Sequence, residues 1–454
     1  MKEPGAAESA PGPTAEPPPS LAASAGLLLG TQVVGNAGYF AAVLLLARAL
    51  GPTARGQTAF ITVTAMVAAR CAGIGLNEAT RVFAAQRPRQ RPVLLANLVV
   101  ATAALGVGAA AIVCGALLAV PGLRPPGIGA LQVGIVGLAT LATGMVFPGY
   151  AFLQGASRFR TYGAVQAAAS WFYALLLGVA WAGPGLTATR AASLWVVFQT
   201  VHGGVLLNAC RRSFGVAWPD LRLLRQSVRF GLRAWAGGLS QFLNARTDQI
   251  LTALLASEAT LGIYAVAVNT SEVLFYLPNA VAAALLPAVA SRAPGAMSQR
   301  TLSVFRAVAL VTVAASLAAA ALGPLLIPLL FGHAYRGSVA PFLWLLPSAL
   351  GFAANVTFSG ALVASGAPGR SSLGATVALV LGVALDVVLI PSHGAVGAAA
   401  AASAALLAGG LAAAAAYRAH VGFRWVELIP RARDVATLRL LARRARSTWT
   451  AAPS

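Results

Sequence analysis

The chain has a single lysine, Lys2, against 31 arginines, and only 11 acidic residues in 454 positions. A phosphate-cradling nucleotide loop places a lysine directly after its glycines, and Schiff-base catalysis uses lysine as the nucleophile. Both are excluded, and with them ATP hydrolysis by the P-loop route. Cysteine is nearly absent: Cys71, Cys114 and Cys210 stand far apart, with neither a disulfide framework nor metal-ligand spacing. The four histidines (His202, His333, His393 and His420) are equally scattered. Three of the acids fall in the first 20 residues. A membrane glycosyltransferase or acyltransferase needs a clustered acid or histidine for its acid–base steps. No such cluster is present, so the chain is expected to be no enzyme, to bind no metal and to need no cofactor.

What the chain has in abundance is apolar sequence, with 58% hydrophobic and 9% charged residues. About 20 apolar residues in a helix cross the ~30 Å hydrocarbon core of a bilayer. Such stretches fall near 23–47, 57–80, 93–119, 128–152, 162–182, 186–209, 234–256, 260–289, 303–330, 339–364, 372–391 and 395–417. The expected fold class is an all-α polytopic membrane protein of about 12 transmembrane helices.

The formal charge of +21 is read from its placement. Loops on one side carry Arg81, Arg87, Arg89, Arg91, Arg158, Arg160 and the arginine-rich stretch 211–233, followed by Arg292, Arg300, Arg370 and eight arginines from Arg418 to Arg446. The other side holds only Arg48, Arg55, Arg124, Arg190 and Arg336. Basic loops stay in the cytoplasm, so both termini are expected there, the charge facing anionic membrane lipids rather than nucleic acid.

Residues 1–22 read as a proline-rich, disordered cytoplasmic leader, 23–210 as a six-helix N-terminal half, 211–233 as a cytoplasmic amphipathic linker, 234–418 as a six-helix C-terminal half and 419–454 as a basic cytoplasmic tail. In the linker, Asp220 is placed to cap a helix with Leu221, Leu224, Val228 and Leu232 on one stripe beside four arginines, a pattern that lies in the headgroup plane. A second such helix is expected from Asp434. Gly155, Gly163 and Gly183 recur 211 positions later as Gly366, Gly374 and Gly394. Halves with an even number of helices are parallel repeats, with a site between them near the midplane.

Polar residues at bilayer depth mark that site. Arg70 lies about 20 Å into the second span at 1.5 Å per residue, with Asn77 on its face. The seventh span sets Gln241, Asn244 and Asp248 on one stripe, with Arg246 on another face. The eighth aligns Asn269, Glu272, Tyr276 and Asn279. The first offers Gln32, Asn36 and Tyr39, and Asp386 lies in the eleventh. These groups either pair to hold helices together, Arg246 with Glu272 for example, or line a wet cavity. Arg306, near the interface, is expected to snorkel.

Four stretches carry a family resemblance: ARALGPTARGQTAF (47–60), LQGASRFRTYG (153–163), TDQILTALLASEATLGIYAVAVNTSEVLFYLPNAVAAALLPAVAS (247–291) and DVVLIPSHGAVGAAAAAS (386–403). In this order they resemble the polysaccharide-biosynthesis, O-antigen-type oligosaccharide flippases of the MATE-related (MOP) superfamily, over about residues 23–417. The sequence departs at Gly56-Gln57-Thr58, where the family often has tyrosine two residues after glycine, and in its twelve spans where many relatives have fourteen. The resemblance implies a MATE-like fold in a bacterial cytoplasmic (inner) membrane. It implies flipping of a polyprenyl-pyrophosphate-linked oligosaccharide to the outer leaflet by alternating access, for surface polysaccharide biosynthesis alongside a polymerase and glycosyltransferases.

On that reading Arg70 and Arg246 are candidates for the pyrophosphate, since arginine suits phosphate. Gln32, Asn36, Gln241, Asn244 and Asn269 are candidates for sugar hydroxyls. Asp248 and Glu272 carry a coupling ion or neutralise arginine. A MATE-like cation-coupled drug exporter and a lipid II flippase are the alternatives.

Overall fold

The computed structural model describes residues 21–276, 278–279 and 294–430. The leader up to residue 20, the second amphipathic helix expected from Asp434 and the tail from residue 431 lie outside the described residues. Among the described residues all regular structure is helical: α1 (Leu21–Ala72), α2 (Leu76–Gln86), α3 (Arg91–Ala119), α4 (Ala130–Gly155), α5 (Phe159–Ala182), α6 (Ala188–Phe214), α7 (Leu221–Asn244), α8 (Thr247–Leu255), α9 (Glu258–Ser271), α10 (Pro294–Phe331), α11 (Val339–Leu345), α12 (Ser348–Ala364) and α13 (Leu373–Val421), with short 3-10 turns between some of them.

Among the described residues seven helices are long and apolar enough to cross a membrane, or eight if the pair bent by 45° at residues 346–347 is one span. Two of them, α1 and α13, are each a pair of helices merged at a kink. Gly51 (φ 68°) and Gly394 (φ 54°) interrupt the helical backbone in a region open to glycine. Pro52 then restarts the helix at its first position, where its missing N–H costs nothing. The expected seventh span is broken at Ala245–Arg246, and the eighth runs from α9 into residues outside the description. The protein is a multi-pass, all-α membrane protein. Its outer surface is apolar, with Ile112 and Val380 three-quarters and two-thirds exposed to what must be lipid.

The linker departs from expectation. The helix capped by Asp220, whose Oδ1 accepts from the Arg222 and Leu223 N–H groups, does not end at residue 233 but continues to Asn244. Its buried side is set by Leu223 and Ser227, with Leu224 and Val228 half-buried and Leu221 and Leu232 exposed. The helix packs against α2, with Phe230 5.2 Å from Phe83.

Nor does Arg306 snorkel. It is buried, and its Nη1 donates to the Glu427 carbonyl at 2.7 Å, fastening the turn after α13. Replacing Arg306 with alanine should leave that carbonyl unpaired and cost about 1–3 kcal/mol, read as a lowered thermal midpoint in detergent.

The related glycines Gly163 and Gly374 are both close-approach points, but to different neighbours: Thr31 of α1 for the first, Asn355 and Gly409 for the second. Helices α1–α6 come from the first half of the sequence and α7–α13 from the second, and a seam between the two sets runs where α1 packs on α9 and α2 on α7.

Candidate functional site

Glycine governs how closely the two sets of helices approach. At the arginine-rich end a Cβ on Gly75 would run into the Gly231 backbone, and one on Gly231 into Gly75. At the far end a Cβ on Gly56 would collide with the Glu258 carbonyl, and one on Gly262 with that of Pro52. Backbone therefore lies on backbone at both mouths. The far mouth is also pinned by polar bonds: Gln57 Nε2 donates to Glu258 at 2.7 Å, as does the Gly127 N–H. Arg48 donates to the carbonyls of Leu329 and Leu330 at the end of α10.

Between the mouths lies a cavity of about 40 Å³, lined by Tyr39, Arg55, Thr62, Tyr173, Arg246, Gln249 and Asn269 among others. That volume suits about one water. Among the described residues, close backbone contacts flank a small polar core.

Two guanidiniums face this core. Arg246 occupies the break between α7 and α8, where its backbone leaves the helix (φ −138°), and its Nη1 donates to Glu272 at 2.7 Å. The pairing anticipated from their depths is present. Arg55 was expected in a far-side loop; instead it lies within α1, 6% exposed, because the helix restarts at Pro52. Its Nε has no hydrogen-bond partner, and the ion pairs among the described residues are Arg246–Glu272 and Arg70–Glu78. Tyr39 and Tyr173 line the same cavity. A buried cation without a carboxylate is costly, and the arrangement presents a receptor for an anion.

Arg70 lies nearer the basic end than expected. The second arm of α1 begins at Pro52, which puts Arg70 about 27 Å from that start at 1.5 Å per residue. It binds Glu78 at 2.7 Å across the Gly73–Gly75 break, and Gly238 of α7 lies directly against the pair. A third cationic station therefore sits on the seam just inside the basic mouth.

The expected stripe Gln241, Asn244 and Asp248 is not one stripe, because the break at Ala245–Arg246 resets the helical phase. Gln241 is exposed, Asn244 lies near Gly382 of the same set, and Asp248 is buried. Asp248 accepts from the Tyr264 hydroxyl at 2.5 Å and lies within electrostatic range of Asp386, whose Oδ1 has no partner. Glu272, grouped with Asp248 from sequence, is engaged by Arg246 instead. Asn269 lines the cavity while donating to the Ala265 carbonyl. Gln32 is exposed and Asn36 half-buried on the first arm of α1, neither at the cavity.

Sequence reasoning missed Arg55, Glu78 and Glu258. The Gly51-Pro52 pair was the available signal for the first, and opposite charges flanking Gly73-Ile74-Gly75 for the second. For Glu258, whose partners are 131 and 201 residues away, there was none.

Comparison with solved structures places this architecture. The chain is similar to the lipid II flippase MurJ in an inward closed conformation, with a TM-score of 0.72 and 10% identity over 90% of this chain and 89% of that one. It is also similar to an inward-facing multidrug resistance MATE family transporter of the MOP superfamily, with a TM-score of 0.68 and 14% identity over 87% and 98% of the two chains. A third likeness is to a MOP superfamily transporter from Pyrococcus furiosus, with a TM-score of 0.55 and 14% identity over 88% and 95%. At these identities the likeness shows the fold, which is MATE-like. A search of curated protein sequences gives no match. The model of the polysaccharide biosynthesis protein family matches residues 45–340. With that span covering more than half of a chain whose fold is that of MOP-superfamily transporters, the protein belongs to the polysaccharide biosynthesis protein family.

Proposed function

We propose that this protein flips a polyprenyl-pyrophosphate-linked oligosaccharide from the cytoplasmic to the outer leaflet of a bacterial inner membrane, for surface polysaccharide assembly. The observation that carries the reading is the pair Arg55 and Arg246 at the closed core of the seam, the first with no carboxylate partner. Stripping water from a sugar–pyrophosphate headgroup is prohibitive in hydrocarbon, and guanidinium donors at the seam offset that cost. A cationic drug would meet repulsion there.

Arg70 is the entry station for the phosphates, Arg246 the central one and Arg55 the one nearest the far mouth. Glu78 and Glu272 hold the first two. Asn269 meets sugar hydroxyls at the core, while Gln32, Asn36, Gln241 and Asn244 come into play only as the basic side opens. The prenyl tail stays in lipid. Asp248 and Asp386, two buried carboxylates, are suited to take up a proton or sodium ion that couples transport to a gradient. Arginine-rich loops support a cytoplasmic location for the termini, on the side where glycosyltransferases supply the cargo; a polymerase receives it on the other side.

Deleting the gene should remove one surface polymer and accumulate its lipid-linked unit. Wild-type protein should restore both, whereas Arg55→Ala should leave export at least about tenfold down, the equivalent of one charge-assisted hydrogen bond. Unchanged glycans with new sensitivity to cationic drugs would replace this reading with drug export.

A further inference from the structure

Outside the seam, a groove of about 860 Å³ lies along the side of α3 and α6, at the basic end. Its walls are Leu95, Val99 and Val100 from the first turns of α3 and Leu207 from the end of α6. Residues 216–219 form the roof.

That roof is held in place by a specific device. Asn97, 3% exposed, grips Asp220 by two backbone hydrogen bonds: its Nδ2 donates to the Asp220 carbonyl at 2.9 Å, and its Oδ1 accepts the Asp220 N–H at 2.8 Å. The segment between Phe214 and Asp220 must therefore arch over the cleft rather than collapse into it. Trp218 stands 90% exposed on the rim, and exposed tryptophan at the end of a span favours the headgroup region.

The charges at this end sort themselves. Arg91 donates to the Ala84 carbonyl and covers the Phe214 ring, and Arg158 lies over the other reach of that ring. Arg211, in the last turn of α6, is exposed, lines the groove and makes no side-chain contact of this kind with the described residues. An open apolar trough, a tryptophan at its lip and one uncommitted guanidinium at headgroup height together match a lipid with two chains and an anionic head.

We propose that this groove is a binding site for one anionic glycerophospholipid, its phosphate on Arg211 and its acyl chains along Leu95, Val99 and Leu207. The site has a mechanical consequence. Asp220, clamped by Asn97, caps α7, and eleven residues further along α7 Gly231 closes on Gly75 at the basic mouth. A lipid under the roof braces the lever that opens and shuts that mouth, so anionic lipid regulates the transporter from a place the cargo does not visit.

The test is native mass spectrometry of the purified, delipidated full-length protein, titrated with phosphatidylglycerol or phosphatidylcholine of identical chains. The expected result is one retained phosphatidylglycerol, preferred by about tenfold, the worth of one charge-assisted hydrogen bond. Arg211→Gln should erase the preference. Gly204→Trp should occupy the groove and abolish retention of that lipid; a Cβ at position 204 meets nothing within 4 Å, so the backbone there accepts a side chain. An unchanged thermal midpoint certifies each variant. Equal retention of the two lipids by the wild type, or an undiminished preference in either variant, would overturn the proposal. Displacement of phosphatidylglycerol by an equal concentration of polyprenyl phosphate would also overturn it, assigning the groove to the cargo's tail.

Discussion

Replacing Arg246 with alanine should abolish transport and destabilise the protein, whereas removing Glu272 at the same time should restore stability without restoring transport. The geometry behind this is a 2.7 Å ion pair at the break between α7 and α8, with each side chain about one-fifth exposed. Removing one partner of such a pair strands the other, at a cost of about 3 kcal/mol. Removing both leaves nothing uncompensated, so the double variant should unfold close to the wild-type temperature. A purely structural arginine would give a double variant that transports. An arginine that also takes the cargo's phosphate gives one that is folded and inactive. Thermal unfolding and export measured on Arg246→Ala, Glu272→Ala and the double variant separate the two. Export recovered by the double variant would remove Arg246 from the binding site.

The glycine contacts lead to an effect of similar size. Valine at Gly262 would drive its side chain into the Pro52 carbonyl, so the far mouth could no longer shut. Valine at Gly75 would do the same at the basic mouth against Gly231, with added strain from a left-handed backbone (φ 80°). Alternating access requires each mouth to close in turn, so both variants should transport at no more than about a tenth of the wild-type rate. They should differ in which side reaches the core. With the three native cysteines replaced and Thr62, which lines the cavity, changed to cysteine, a membrane-impermeant maleimide should label Gly262→Val at least about tenfold faster than its parent from the far side only. Gly75→Val should show the reverse. Equal labelling from both sides in all three proteins would show that these contacts are not the gates.

Much of the architecture was legible in the chain. Runs of about twenty apolar residues have one stable solution in a bilayer, because a backbone without water must satisfy its own hydrogen bonds as helix. The Asp220 cap was readable because capping is local, needing only a carboxylate and the two N–H groups that follow. The Arg246–Glu272 pair was readable because helical rise converts residue number into depth, and two opposite charges at one depth in a low-dielectric medium attract.

What failed to be legible was set by breaks and by distance. A helical stripe holds its phase only while the helix is unbroken. The break at Ala245–Arg246 therefore separated Asp248 from Gln241 and Asn244 and turned it toward Tyr264 and Asp386. Arg55 changed from a loop residue to a buried one because a single glycine at position 51 made the turn abrupt. Arg306 looked like an interfacial arginine because its acceptor is a backbone carbonyl 121 residues away, which no local pattern records.

The sequence alone determined that this is a helical membrane protein, which end carries its positive charge, and that nucleotide-loop and Schiff-base chemistry are closed to it. Those properties are sums over residues against a uniform solvent. The tertiary structure decided which arginines among the described residues meet partners, how two glycine contacts bring the helices of the seam together, and where Asn97 holds a roof over a lipid-sized groove. Those depend on separations of a few ångströms between segments tens to hundreds of residues apart, and only the packing of the helices supplies them.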